Sequence, residues 1–160
     1  MALPQRKLHR LKSWDYHQIG YYFVTICTHG KKKQFSHIRS CGIDATLELT
    51  PLGKQVEAVW RNTESIYPGI KLDAYCFMPN HLHAIVIIEK ESVSLSDVIQ
   101  AFKSVTTRAY NKTVLPENKN KLWQSSFYDE IIRSDAMLYE IRKYIMGNPS
   151  KWLEDTLYVE

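Results

Sequence analysis

Met78-Pro79-Asn80-His81-Leu82-His83-Ala84-Ile85-Val86-Ile87-Ile88 is the stretch from which the fold can be worked out. Its second half, Ala84 to Ile88, is short, apolar and β-branched, the pattern of a buried strand. Residues two apart in a strand share a face, so His81 and His83 project side by side from the strand's start. Two imidazoles aimed at one point suit two ligands of a single divalent ion. The same spacing also fits two polar residues at a strand's mouth. A third ligand and a reactive group are therefore needed before the pair supports a mechanism. Upstream, Ile70 to Phe77 is another strand candidate. Met78-Pro79-Asn80 is a tight link between the two, which predicts an antiparallel pair.

Further out, Tyr21 to Thr28 is rich in aromatic and β-branched residues and predicts a strand. Gly30 and Lys31-Lys32-Lys33 then form a loop, and the alternation from Asp44 to Leu49 suggests a short strand. Pro51 precedes a helical stripe of Leu52, Val56, Val59 and Trp60, closed by Pro68-Gly69. Ser94 as cap and Asp97 three residues on predict a capping box for a second helix. Its inner face is Leu95, Val98, Ile99, Phe102, Val105 and Ala109, and its outer face Gln100, Lys103, Ser104 and Arg108. Pro116 to Lys121 is a polar loop, and Trp123 to Tyr128 an irregular aromatic segment. Ser134 or Asp135 caps a last helix with Leu138, Ile141 and Ile145 inward. Gly147-Asn148-Pro149 should stop it, because a residue before proline is pushed away from helical geometry.

The chain has 160 residues, 44% hydrophobic and 24% charged, which fits one domain over 1–160 with residues 1–19 as a basic N-terminal arm. No apolar run is long enough to span a membrane, and no apolar core follows the basic N-terminus, so neither a membrane partner nor a signal peptide is expected. The three cysteines are odd in number and widely spaced, against a disulfide framework or a cysteine zinc knuckle. Cys27 and Cys76 read as small buried hydrophobes, and a cytoplasmic protein is expected. The net charge of +4 permits nucleic-acid binding without demanding it. Basic groups cluster at Arg6 to Lys12, at Lys31 to Lys33 and at Lys119 and Lys121. Aromatics lie near each, a pairing suited to single-stranded nucleic acid, although such loops are also ordinary solvated turns.

Chemistry can come from the last helix, where Tyr144 and Asn148 are spaced i to i+4 and so share a side. An asparagine oxygen is a reasonable ligand for a hard ion such as Mg2+ or Mn2+. A tyrosine hydroxyl is a possible nucleophile once a metal makes the electrophile more reactive. The bland alternatives are half-buried packing for Tyr144, one of ten tyrosines, and a helix C-cap for Asn148. Tyr139 and Tyr128 are weaker candidates: Lys143 stands at i+4 from Tyr139, and Asp129 and Glu130 beside Tyr128 repel phosphate.

At these residues the chain resembles a known family. Met78-Pro79-Asn80-His81-Leu82-His83 resembles the histidine–hydrophobic–histidine (HUH) motif of single-strand nucleases and transposases. Trp123 to Asp129, Ile132-Arg133 and Tyr144-Ile145-Met146-Gly147-Asn148-Pro149 together resemble the C-terminal signature of REP-associated tyrosine transposases. The resemblance spans roughly residues 21 to 152. It implies an α+β fold, a ferredoxin-like antiparallel sheet flanked by helices with the tyrosine on a C-terminal helix. It implies a divalent metal, Mg2+ or Mn2+, on His81, His83 and Asn148, with Tyr144 as nucleophile. The implied substrate is single-stranded DNA with a hairpin, cleaved and rejoined through a covalent phosphotyrosine. Lys31, Lys32, Lys33, Lys103 and Arg108 are the expected DNA-binding side chains. Related insertion-sequence transposases act as homodimers that exchange the tyrosine helix, whereas repeat-associated members need not, so a homodimer stays open. A hairpin-binding module without cleavage activity and a small hydrolytic metalloenzyme are the competing readings.

Overall fold

The computed structural model describes residues 18–40 and 42–160, so the arm expected over 1–19, save its last two residues, and Cys41 lie outside the described residues. The central sheet has four antiparallel strands in the order β4-β5-β1-β6, with β1 Gly20–Cys27, β4 Ile70–Met78, β5 His81–Ile88 and β6 Tyr128–Ile132. A separate hairpin joins β2 Ser36–Arg39 to β3 Thr46–Leu49. The helices are α1 Pro51–Arg61, the short α2 Thr63–Ile66, α3 Leu95–Thr113 and α4 Asp135–Gly147. Setting the hairpin and α2 aside, β1-α1-β4-β5-α3-β6 is the ferredoxin-like succession.

Strand alternation divides the core between the two faces of the sheet. Tyr22, Val24 and Ile26 of β1, with Leu82, Ala84, Val86 and Ile88 of β5, pack against Val56 and Trp60 of α1 and Val98, Ile99 and Phe102 of α3. On the other face Phe23 and Ile85 meet Ile132 of β6 and Ile145 of α4, with Leu138 and Ile141 alongside. His81 and His83 share the parity of Ile85 and therefore face α4, the helix that carries Tyr144. At α1, a Cβ built on Gly53 meets the Phe35 carbonyl oxygen at 1.9 Å, so only glycine lets the helix approach the chain that leads into β2.

The structure corrects several sequence expectations. Thr50 caps α1 through Gly53 N–H at 3.0 Å, a cap the sequence reading missed. Ser94 stands at the α3 cap position, yet its side chain makes no capping hydrogen bond, so the expected capping box does not form. Ser134, the first of the two cap candidates, does cap α4, through Met137 N–H at 3.1 Å. The buried stripe of α3 continues through Thr106 rather than Val105, which is 41% exposed. Thr106 accepts a hydrogen bond from the Trp123 indole at 2.8 Å and donates to the Phe102 carbonyl, which satisfies both buried polar groups. Strands β2 and β6 were not anticipated. Both are short and charged, as strands at sheet margins are. Asp44, expected to begin β3, instead ends the tight helical turn Gly42–Asp44. Cys27 and Cys76 are only partly buried.

Candidate active site

The register of the sheet decides how the two imidazoles are held. On β1, Thr25 stands opposite His83 and Cys27 opposite His81. Thr25 Oγ1 lies 2.8 Å from His83 Nδ1, and Asn80 Oδ1 lies 2.7 Å from His81 Nδ1. The Asn80 amide nitrogen already donates to the carbonyls of Leu157 and Lys31, at 2.8 and 3.4 Å, so its oxygen is the atom left to face the ring. An amide oxygen only accepts, so the His81 proton sits on Nδ1 and the Nε2 lone pair is free. The two rings are 4.4 Å apart, with the Trp152 ring at 6.0 Å from His81 and the Phe23 ring at 5.4 Å from His83.

Both rings are buried, at 0% and 3% exposure. Burial pushes the pKa of His81 down to about 3, against a pull from the Asn148 amide. His83 is likewise pushed down to about 3 by burial and by its neighbour His81, with the Asp155 carboxylate pulling the other way. Neutral imidazoles are the form that ligates metal. Among the described residues, two buried polar atoms in this site have no hydrogen-bond partner: His81 Nε2 and Asn148 Oδ1. Both are lone-pair donors, the atoms a cation would satisfy.

Tyr144 reaches this site from its own chain. Its hydroxyl is 3.5 Å from His83 Nε2, its ring centroid 5.3 Å from that of His83, and its edge meets the Phe23 ring. The side chain is 47% exposed, open enough for a large substrate to reach it. Its pKa is raised by burial and by the Asp155 carboxylate, with the Asn148 amide lowering it. Of the other two tyrosines, Tyr139 is 64% exposed on α4, and Tyr128 on the edge strand directs its hydroxyl to Glu130 at 3.4 Å.

Asn148 does not leave helical geometry despite the following proline: its φ of −61° and ψ of −40° are helical. The chain therefore passes directly from α4 into a tight helical turn, Pro149–Glu154. That turn folds back and brings Asp155, unforeseen from the sequence, to the histidines. Its side chain is 1% exposed and its Oδ2 lies 3.6 Å from His81 Nε2. Asn148 Nδ2 donates to the same oxygen at 3.2 Å. His81, His83 and Asp155 offer ligand atoms within 4.8 Å of one another, a cluster compatible with a divalent metal. No spacing rule flags Asp155. Its only sequence signal is an acidic residue soon after the asparagine–proline pair.

The expected DNA-binding side chains divide. The Lys31–Lys33 loop adjoins the site through Asn80 and Lys31, and Lys32 and Lys33 are exposed. Lys33 also donates to the Val159 carbonyl at 3.2 Å and covers the Tyr158 ring at 5.9 Å. Lys103 donates to the carbonyls of Gln124 and Ser126, which straps the 123–128 segment to α3. Arg108 is exposed on α3, the helix across the sheet from the histidines, so the structure does not bring it to them.

Sheet, paired histidines and facing tyrosine define a class: a small α+β protein with a buried histidine site on one face of its antiparallel sheet and a tyrosine at its mouth. The chain belongs to the family described as IS200-like transposases, whose model matches residues 49–148. It is 32% identical over 181 aligned positions to an uncharacterized protein of Haemophilus influenzae, covering 99% of this chain and 96% of that one. It is 26% identical over 144 positions to a second protein of that organism, one named as a REP-associated tyrosine transposase, covering 86% and 74%. Among solved structures, the REP-associated tyrosine transposase bound to a REP hairpin superposes with a TM-score of 0.64 at 19% identity, over 89% of this chain and 74% of that one. A Deinococcus radiodurans protein described as a transposase gives 0.54 at 15% identity, over 86% and 95%. These two share the fold. Family membership gives the chain a transposase role, and with it DNA processing in general terms. Among the described residues, no helix is long and apolar enough to cross a membrane.

Proposed function

We propose that the chain is a single-domain, metal-dependent transposase that cuts and rejoins single-stranded DNA at hairpin-bearing sites through a phosphotyrosine at Tyr144. The observation that carries this reading is the 3.5 Å separation of the Tyr144 hydroxyl from His83 Nε2 within one chain. The REP hairpin bound by the transposase of the same fold supports the choice of a DNA hairpin as partner. The basic loop beside the site suits its phosphates.

Each residue has a distinct task. His81 and His83 supply imidazole nitrogens, their tautomers held by Asn80 and Thr25, and Asn148 supplies its orphaned carbonyl oxygen. These donors would hold a divalent ion, Mg2+ or Mn2+, which when bound would supply polarisation of the scissile phosphodiester and stabilisation of its leaving oxygen. Tyr144 on its own is a reluctant nucleophile, because burial and the nearby carboxylate favour its protonated form. The phenol oxygen attacks phosphorus, the phosphorus–oxygen bond to one DNA segment breaks, and the phenol proton passes to the leaving oxygen. A DNA hydroxyl then attacks the phosphotyrosine and frees Tyr144. One phosphodiester replaces another, so joining draws on no nucleotide hydrolysis. Because Tyr144 faces the histidines of its own chain, the reaction runs in cis and needs no exchange of α4 between subunits.

The test is a labelled hairpin oligonucleotide with single-stranded flanks, incubated with Mn2+ and run on a denaturing gel. The native protein should give a covalent adduct. Tyr144→Phe and His81→Ala should reduce it to background while retaining most binding. Free cleaved product with Tyr144→Phe still active would instead indicate hydrolysis. Binding with no adduct from the native protein would indicate a hairpin-binding module.

A further inference from the structure

We infer that Asp155 is itself a metal ligand, so that the segment after α4 is part of the active site and the donor set is two imidazoles, one carboxylate and the Asn148 amide. The inference rests on reading His81 and His83 as ligands and goes beyond it in naming a charged donor. Its starting point is burial. The Asp155 side chain is 1% exposed, and among the described residues it has no lysine or arginine partner. Its contacts are His81 Nε2 at 3.6 Å, Asn148 Nδ2 at 3.2 Å and the Leu157 backbone N–H at 2.8 Å. Buried carboxylates are costly unless paired with a cation or bound to a metal. The groups around this carboxylate are two imidazoles, an amide and a backbone N–H, none of them a lysine or arginine.

The geometry points the same way. Three ligand atoms from His81, His83 and Asp155 lie within 4.8 Å of one another, and Asn148, whose Oδ1 has no hydrogen-bond partner, touches the cluster through its Nδ2 bond to Asp155. The carboxylate is also held in place from outside. Asn80 Nδ2 donates to the Leu157 carbonyl, Lys33 to the Val159 carbonyl, and Trp152 stacks edge-on with Tyr158 at 5.2 Å. Asn80 thus orients His81 with its oxygen and ties down the Asp155 segment with its nitrogen. Such partners fix ligand orientation at metal centres. Two nitrogens with one carboxylate and one amide oxygen suit Mn2+ better than Mg2+, which prefers oxygen alone.

The experiment is Mn2+ titration without DNA, followed by calorimetry and by loss of the free-ion electron paramagnetic resonance signal. The variants are Asp155→Ala, Asp155→Asn and His83→Ala. Asp155→Asn keeps an acceptor for the Leu157 N–H, and melting without metal checks that each variant folds. We expect Asp155→Ala to weaken Mn2+ binding at least about tenfold, with Asp155→Asn between it and the native chain. Mn2+ should also protect the amides of residues 155–159 from hydrogen exchange in the native protein and not in Asp155→Ala. Native-like affinity in both Asp155 variants, with binding lost in His83→Ala, would overturn the role of Asp155 and leave the histidine site standing. Native-like affinity in His83→Ala as well would overturn the metal site altogether.

Discussion

At the scale of single residues, each imidazole has its Nδ1 within hydrogen-bond distance of a neighbouring side chain, Asn80 for His81 and Thr25 for His83. Thr25 reaches His83 from the neighbouring strand, at a position that alternation alone marks as facing the same side. Replacing it by valine keeps the shape and removes the partner of Nδ1. Thr25→Val should therefore lower Mn2+ affinity about tenfold with little loss of hairpin binding, measured by calorimetry and by gel shift. Unchanged metal affinity would mean that packing alone holds the ring. The placing of His81 beside His83 on β5, and of Tyr144 one turn before Asn148 at the end of α4, was legible in the sequence because a regular period fixes which side chains share a side. Asp155 was not, because no period links it to Asn148 across a change of helix type.

At the scale of elements, the position of α4 decides whether the phenol meets the imidazoles. Its apolar face is seated by Ile145, Ile141 and Leu138 against Phe23 and Ile85. Arg142 clamps the same helix to Asp73, where the β4 register shifts between Leu72 and Tyr75. The guanidinium holds the Asp73 carboxyl below its ordinary range. A carboxylate depressed in the folded state stabilises it above the unfolded pKa, and that contribution is lost as pH falls through the folded value. Asp73→Asn should thus melt below the native protein at pH 7, and the gap should close as pH falls below about 4. A pH-independent gap in melting curves would deny the ion pair its part. The sequence showed the helix and its inward stripe. It hid the clamp, whose partners are 69 positions apart. It placed the end of α4 at Gly147-Asn148-Pro149, where the helix does end, but the reason differs: Asn148 keeps helical φ and ψ before proline, and the chain runs straight into the Pro149–Glu154 turn.

At the scale of the whole molecule, the sheet carries its larger apolar core on one face and, on the other, a smaller one beside the paired histidines. Helices α1 and α3 cover the larger core, which leaves the histidine face to α4 and the C-terminal segment. The basic loop borders that face, and on the proposed function a DNA strand entering the site would pass Lys31 to Lys33. Replacing all three by alanine should weaken hairpin binding and flatten the plot of log affinity against log salt by at least about one unit. An unchanged slope would take the loop out of the DNA path. Strands β1, β4 and β5 could be foreseen from their apolar runs, while the ferredoxin-like sheet was implied by the family resemblance. Edge strand β6 and strand β2 escaped, since charged, short segments lack the apolar run that marks a strand, whereas β3 was expected from its alternation.

The most direct test of the account is to locate the covalent bond. After reaction with a hairpin oligonucleotide and Mn2+, nuclease trimming and proteolysis should leave one peptide carrying a nucleotide phosphate, and fragmentation should assign it to Tyr144. A nucleotide phosphate on any other residue, or cleaved DNA with no modified peptide, would contradict it.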